Sequence, residues 1–227
     1  KGIRTLLSED GRAYVEFHDA YHILSGNQYD SIYHEHYSYF YLETFKYAAK
    51  KANLKIIDVI NSPISGGALI VILSKDNLLN VSKKVLEKIK NDNVLEINSI
   101  YTWKNFANKS ISHSEKLNEI INKTKRDQKI YGYGSSARSN TMLTFSNIDS
   151  KNIQFIVDNS LLKQGKFTPG TRIPIKDLSQ LPKKNITLII LAWNFTKEII
   201  DDLKEKGFSK ITVIQPLPGD PITYQVD

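Results

Sequence analysis

Short apolar runs and one amphipathic helix alternate along the first third of the chain. Residues 12–17, 54–60 and 68–73 are rich in aliphatic and aromatic side chains, which predicts three strands. Between the first two, apolar residues in 41–52 recur at spacings of three and four, which predicts a helix. A Pro- and Gly-containing turn at residues 62–67 joins the last two strands. Strand, helix, strand, loop, strand is how several α/β domains finish.

The middle of the chain, residues 75–128, is rich in Lys and Asn and has helical periodicity. The first apolar stripe consists of Leu78, Leu79, Val85, Leu86 and Ile89. The second consists of Ile100, Trp103, Phe106, Ile111, Leu117, Ile120 and Ile121. The stretch Asn91-Asp92-Asn93 separates them, so we expect two helices that bridge two domains.

From residue 129 onward, strands and helices alternate. Strands are predicted at 130–133, 153–157, 186–192 and 211–214, and helices at 137–145 and 195–206. This alternation is typical of a doubly wound parallel sheet. The predicted domains are residues 1–74, a helical bridge at 75–127 and an α/β domain at 128–227.

Charge and cysteine content narrow the function classes. The net charge is +7, but the lysines are interspersed with acidic residues and the arginines do not cluster, so a solvated helix face explains the charge better than a nucleic-acid site. The chain has no Cys, which excludes disulfides and thiolate metal sites, and we predict no metal site. There is no apolar run of membrane-spanning length. We therefore expect a cytoplasmic protein.

Tyr and His are concentrated between residues 18 and 41. Within this region, Tyr33, Glu35 and His36 place a phenol, a carboxylate and an imidazole within four residues. These side chains are the ones most often used to move protons near neutral pH. A packed aromatic corner would have the same composition, so composition alone leaves both interpretations open.

A second candidate site follows the strand at 130–133. Gly132-x-Gly134-x-x-Ala137 fits the phosphate-binding turn of a Rossmann-type domain, and Asp158 closes the next strand, near where a ribose-binding acid is expected. The pattern is compatible with NAD, with another nucleotide, or with a tight turn that binds nothing. The long loop 158–175 carries cations that could meet phosphates, namely Lys163, Lys166 and Arg172. Trp193 and Asn194 follow an aliphatic strand at the predicted ligand edge.

Four separated segments together resemble the S-adenosylmethionine-dependent C-methyltransferases of deoxysugar biosynthesis. They are residues 28–40 (with Tyr33-His34-Glu35-His36), 132–141 (Gly-Tyr-Gly-Ser-Ser-Ala-Arg-Ser-Asn-Thr), 158–175 and 191–200 (Leu-Ala-Trp-Asn-Phe-Thr-Lys-Glu-Ile-Ile). The resemblance covers essentially the whole chain, in the order of that family. It implies a fold made of the second half of a class I methyltransferase sheet, a helical bridge and a second Rossmann-like domain.

The resemblance also implies a reaction. The family methylates a carbon next to the ketone of a nucleotide-linked 4-keto deoxysugar, which requires a base and a donor for the enolate oxygen. The matching residues are His36 as the favoured base, Tyr33 as its partner or the enolate donor, and Glu35 as the orienting group. Which of Tyr33 and His36 takes the proton stays open. The nucleotide-sugar contacts are expected from Gly132, Gly134, Ser135, Arg138, Asp158, Lys163, Trp193 and Asn194.

The sequence departs from the family pattern in three respects. The cysteines of the zinc domain, and the early methyltransferase strands with their own glycine-rich turn, do not occur in this chain. We therefore expect a C-terminal portion that does not by itself bind S-adenosylmethionine properly or methylate. Ser65 also replaces a histidine that family members commonly carry before Gly66-Gly67.

Two other functions stay open, an NAD(P)-dependent oxidoreductase and a non-catalytic nucleotide-sugar binding module. The oxidoreductase is disfavoured because no catalytic Tyr-x-x-x-Lys or comparable hydride-transfer set accompanies the Gly132 turn. The sequence assigns no oligomeric state.

Overall fold

A computed structural model describes all residues, Lys1–Asp227, and they form two compact units. The first unit comprises Lys1–Gly26 and His36–Phe106, and the second comprises Asn27–Glu35 and Ala107–Asp227. The chain therefore leaves the first unit for nine residues, Asn27–Glu35, before it returns. The predicted Tyr33–His36 cluster is divided by this crossing, with Tyr33 and Glu35 in the second unit and His36 in the first.

The first unit is built around a three-stranded antiparallel sheet. Its elements are α1 (Gly2–Leu6), β1 (Ala13–His18), α2 (Ala20–Ser25), α3 (Leu42–Lys51), β2 (Lys55–Ser62), β3 (Ala68–Ser74) and α4 (Lys83–Val94). The strand order is β1-β3-β2, with β3 antiparallel to both neighbours. Strand β3 is nearly all aliphatic because its position in the middle buries it on both faces. The three strands and the helix predicted for this region are confirmed.

Helix α4 corrects the predicted break in the middle region. Asn91, Asp92 and Asn93 lie inside α4, and the actual break is at residues 95–99. Asp92 stays helical because its carboxylate pairs with Lys88, one turn earlier, and the same ammonium lies 2.8 Å from Asp19. This charged trio is buried, and Leu78 lies outside the helix with its side chain 92% exposed.

The second unit is an α/β sandwich with a six-stranded sheet. After α5 (Ile100–Thr124), inside which the unit boundary falls, come β4 (Ile130–Tyr133), α6 (Ala137–Phe145), β5 (Ile156–Val157), β6 (Ile175–Lys176), β7 (Lys184–Ile190), α7 (Thr196–Glu205), β8 (Ser209–Gln215) and β9 (Ile222–Val226). The strand order is β6-β5-β4-β7-β8-β9, and all neighbours are parallel except β8 and β9. This order is that of a Rossmann-type sheet, which confirms the predicted α/β fold class.

Three details of this sheet differ from the sequence prediction. Strand β6 begins at Ile175, the last residue of the stretch 158–175 that was expected to be a loop. Strand β5 is only two residues long, whereas residues 153–157 were expected to be extended. Strand β9 was not predicted at all, because Ile222–Val226 is short, largely solvent-exposed and preceded by a Pro- and Gly-containing stretch. Strand β9 forms because it pairs antiparallel with β8, and these hydrogen bonds cannot be predicted from the local sequence.

No helix in Lys1–Asp227 is both long enough and apolar enough to cross a membrane.

Candidate functional site: the carboxyl edge of the second sheet

The glycines after β4 are explained by packing inside the sheet. A Cβ on Gly132 would lie 2.7 Å from Cγ1 of Ile156 on the neighbouring strand, and one on Gly134 would lie 2.6 Å from Cβ of Ala192. Gly134 also has φ of +89°, a region that side chains with a Cβ rarely adopt. Each glycine therefore has a structural role even without a ligand at the turn.

Asp158 closes this turn from the next strand. Its Oδ2 accepts from the Ser135 amide at 2.7 Å and from Nζ of Lys163 at 3.1 Å, and its Oδ1 accepts from the Ser160 amide at 2.9 Å. Nζ of Lys163 also donates to the Ser135 carbonyl at 2.7 Å. Both carboxylate oxygens thus bond to the protein, and the role of ribose ligand considered for Asp158 stays a prediction. The ion pair of Asp158 and Lys163 therefore lies beside the turn where a dinucleotide phosphate would be expected.

The start of α6 is capped by its own side chains. The Ser136 hydroxyl accepts from the Ser139 amide at 3.1 Å, and the Ser139 hydroxyl accepts from the Ser136 amide at 3.3 Å. This reciprocal capping box uses donors that an anion at a helix N-terminus would otherwise bind. Together with Asp158, it engages the amides of residues 135, 136 and 139 inside the protein.

Beside this turn lies a groove of about 450 Å³, which we call the α6 groove. It is lined by Tyr33, His34, Ser135, Ser136, Ala137, Asn140, Thr141, Leu162, Lys163, Lys166, Phe167, Pro169 and Ile175. The groove brings together Tyr33, Ser135 and Lys163 from the predicted site, although they are far apart in sequence. Arg172, considered as a phosphate contact, is not among its lining residues.

The α6 groove is lined by polar and aromatic groups. Oδ1 of Asn140 is buried and has no hydrogen-bond partner, and the Lys166 ammonium makes no ion pair. Phe167 is 63% exposed, which is unusual for a large aromatic side chain. A buried amide oxygen, a cation and an exposed ring are the groups that bind an amide-bearing aromatic base linked to phosphate.

Arg138 and Trp193, which were predicted to contact substrate, converge on a residue that the sequence did not single out. Nε and Nη2 of Arg138 each lie 3.0 Å from a different oxygen of Asp30, and Nε1 of Trp193 donates to Oδ2 of Asp30 at 2.8 Å. The guanidinium also lies 4.8 Å from the centre of the Trp193 ring. Asp30 is fully buried, so its charge depends on these partners.

The two residues at the end of β7 face a different hollow. Trp193 and Asn194 line a hollow of about 570 Å³ together with residues of α7, Gln215 and Tyr224. Neither residue lines the α6 groove. The predicted site therefore falls into three groups in this unit: the glycine turn with the groove, the Asp30 cluster, and the hollow beside α7.

The proton-transfer candidates differ in their surroundings. Tyr33 is half-buried and its ring centre lies 6.3 Å from that of His34, while Glu35 is exposed. In the first unit, the ring of His36 lies 6.1 Å from Tyr39 and 6.4 Å from His18. Ser65 adopts φ of +58° in the turn before Gly67, where a Cβ would collide with the His22 ring. The catalytic roles of Tyr33, Glu35 and His36 stay predictions.

A buried histidine, His113, contacts Tyr29 in the segment Asn27–Glu35. Nε2 of His113 lies 2.6 Å from the Pro216 carbonyl, which only accepts, so the neutral ring carries its proton there. Nδ1 then accepts from the Tyr29 hydroxyl at 3.0 Å. Burial lowers the pKa of His113, and burial raises the pKa of Tyr29 to about 12, so both groups stay neutral near pH 7.

The fold and the groove together define a Rossmann-type domain with a ligand groove at the carboxyl edge of its sheet. The chain belongs to the C-methyltransferase family, since the family model of the C-methyltransferase C-terminal domain matches residues 63–218. C-methyltransferase NovU of Streptomyces niveus is 30% identical over 220 residues, which cover 96% of this chain and 52% of that relative. The chain thus spans about half the length of this relative and corresponds to the C-terminal portion of the family.

Proposed function

We propose that this chain is the substrate-binding and proton-abstracting portion of an S-adenosylmethionine-dependent C-methyltransferase. Its substrate is a nucleotide-linked keto-deoxysugar, methylated at the carbon next to the ketone. The observation that carries the proposal is the position of Tyr33, a half-buried phenol in a groove that also offers Lys166 and the unpaired oxygen of Asn140. Membership of the C-methyltransferase family supports the reaction class.

The chemistry explains why proton-transfer groups are needed. A carbon next to a ketone becomes a nucleophile only after it loses a proton, and the negative charge then develops on the ketone oxygen. In the proposal, His36 or Tyr33 removes the proton, the Tyr33 hydroxyl donates to the developing oxyanion if His36 is the base, and Glu35 orients them. The donor, when bound, would supply the methyl group: its carbon–sulfur bond would break as the nucleophilic carbon bonds to the methyl, and a neutral thioether would leave.

The nucleotide is proposed to occupy the α6 groove. Phe167 offers a ring face for the base, Asn140 offers an amide for its polar edge, and Lys166 neutralises phosphate. Lys163 bonds to Asp158 and Ser135 and so holds the turn, and its ammonium also adds positive charge to the lining of the α6 groove. This arrangement places the ligand beside the glycine turn rather than on it.

The residues of this chain do not fit the methyl donor. The glycine turn after β4 is closed by Asp158, and Gly67 in the first unit packs against the His22 ring. No step involving S-adenosylmethionine is therefore assigned to these residues. The donor supplies an electrophilic methyl group, and the chain is proposed to prepare the carbon that accepts it.

Deuterium exchange tests the proposal because it needs no methyl donor. The protein is incubated in D₂O with thymidine diphosphate-linked 4-keto-6-deoxyglucose, and NMR follows loss of the proton next to the ketone. We expect catalysed exchange, reduced roughly 100-fold or more in Tyr33→Phe, as is typical when a general acid–base group is removed. Tyr37→Phe is the matched control, because Tyr37 is 95% exposed and lies four residues away.

The outcomes separate the alternatives. Equal exchange by wild type and Tyr33→Phe would contradict the role of Tyr33. Binding of the nucleotide sugar without any exchange would favour a non-catalytic binding module. Tight binding of NAD, measured by calorimetry, would favour the oxidoreductase, although Asp158 is engaged where its ribose would be expected to bind.

A further inference from the structure

The segment that leads to Tyr33 is buried to a degree that its composition does not explain. Residues 27–31 are all buried, although Asn27, Gln28, Asp30 and Ser31 have polar side chains. Immediately afterwards, Ile32 is 44% exposed and His34 and Glu35 are exposed. Burying so many polar groups is unfavourable unless partners are arranged for them. The chain thus changes abruptly from a buried stretch to a largely exposed one.

The strongest anchor is Asp30. Arg138 grips both of its carboxylate oxygens at 3.0 Å, and Trp193 donates to one of them at 2.8 Å. A planar guanidinium with two bonds to one carboxylate fixes orientation as well as position. Arg138 lies on α6 and Trp193 follows β7, so two separate elements of the Rossmann-type sheet hold one residue.

Two further residues, Tyr29 and Asn27, hold the same segment. The Tyr29 hydroxyl contacts His113 at 3.0 Å and Ser146 at 3.3 Å, and Oδ1 of Asn27 accepts from Ser110 at 3.1 Å. These partners lie on or next to α5 and α6. The segment is therefore fixed at three positions before the chain reaches Tyr33.

We propose that Asp30, Arg138 and Trp193 are positioning residues that set the Tyr33 hydroxyl in the α6 groove. In this proposal Arg138 and Trp193 act through Asp30, because Nε and Nη2 of Arg138 and Nε1 of Trp193 are directed at its carboxylate. Three residues of chain reach at most about 11 Å, so the position of Asp30 limits where Tyr33 can lie. The catalytic part of this inference rests on the proposed function of Tyr33.

A fluorine probe tests the positioning without any enzymatic assay. We replace Tyr33 with 3-fluorotyrosine in the 227-residue chain and record its ¹⁹F NMR signal with and without Arg138→Lys or Trp193→Phe. Both changes are mild, because one keeps the charge and the other keeps an aromatic ring. Thr187→Val is the control, since it removes a partly buried hydrogen bond to Gln128 in the same unit. We expect a shifted or split signal in the two variants and an unchanged one in the control.

The exchange assay then distinguishes positioning from substrate binding. We expect kcat to fall roughly 10- to 100-fold in both variants, as for a misplaced catalytic group, while KM changes less than about twofold. The double variant should lose no more than the worse single variant, because both act on Asp30. An increase in KM at constant kcat would overturn the inference, and so would an unchanged fluorine signal. Lack of exchange by the wild type would contradict the proposed function, while the fluorine signals would still decide the positioning.

Discussion

Substitution of Gly134 by alanine tests whether the glycine turn exists for packing or for a ligand. At φ of +89° an alanine is strained by about 1–2 kcal/mol. Its Cβ would also lie 2.6 Å from Cβ of Ala192 and 3.2 Å from the Ala192 backbone nitrogen, and such overpacking costs roughly 1–3 kcal/mol. We therefore expect Gly134→Ala to lower the free energy of unfolding by about 2–5 kcal/mol.

Two other glycines separate these contributions. Gly165 has φ of +77°, and nothing lies within 4 Å of the position that an added Cβ would take, so Gly165→Ala should show the backbone strain alone. At Gly132 a Cβ would lie 2.7 Å from a side-chain atom of Ile156, and φ is not in the positive region, so Gly132→Ala should show the overpacking alone. Gly134→Ala should then cost about as much as the other two together.

Urea unfolding, followed by circular dichroism, measures all three variants under the same conditions. The packing argument is refuted if Gly134→Ala is no less stable than Gly165→Ala. A stable Gly134→Ala protein that no longer binds thymidine diphosphate would show instead that the glycine is required by the ligand.

Two further predictions concern titratable side chains of the second unit, namely His113 and the two lysines Lys163 and Lys166. Burial lowers the pKa of His113, so below about pH 6.5 the unfolded state takes up a proton that the folded state does not, and the free energy of unfolding should fall by at most about 1.4 kcal/mol per pH unit. Urea unfolding between pH 7.5 and 5.5 should show a smaller slope in His113→Asn. An equal slope in both proteins would contradict the prediction. Lys166→Met should weaken binding of thymidine diphosphate in calorimetry with little change in stability, whereas Lys163→Met should affect both, because only Lys163 bonds to Asp158 and Ser135; a Lys163→Met protein as stable as Lys166→Met would count against this assignment.

The strands and the α/β class could be predicted from sequence because burial leaves a local signature. Strand β7 has five consecutive buried residues, and its aliphatic run is visible without any structure. The Asn91–Asn93 stretch was misassigned because polar residues normally end a helix, whereas here Asp92 is held by Lys88, and Lys88 also pairs with Asp19 from another helix cap. A tertiary ion pair overrides the local preference.

The sequence names candidate residue types for the site, but only part of their contacts follows from it. Asp158 was placed correctly at the end of a strand, but its partners could not be read from spacing. Asp30 carried no signal at all, because Arg138 and Trp193 lie 108 and 163 residues away in the chain. The sequence analysis singled out Arg138 and Trp193, but as residues that contact the substrate.

The Rossmann-type fingerprint of this domain therefore has a different physical meaning from the one that its spacing suggests. In a dinucleotide site, the glycines leave room for phosphate and the acid meets a ribose. Here Ala192 and Ile156 fill the space next to the glycines, and Asp158 bonds to the Ser135 amide on the turn. The Asp158 carboxylate and Nζ of Lys163 both hold the turn, while Lys166 and the unpaired Asn140 oxygen belong to the neighbouring α6 groove. The acid that looks like a ribose ligand thus holds the turn in this protein, and the neighbouring groove is the place where a nucleotide is proposed to bind.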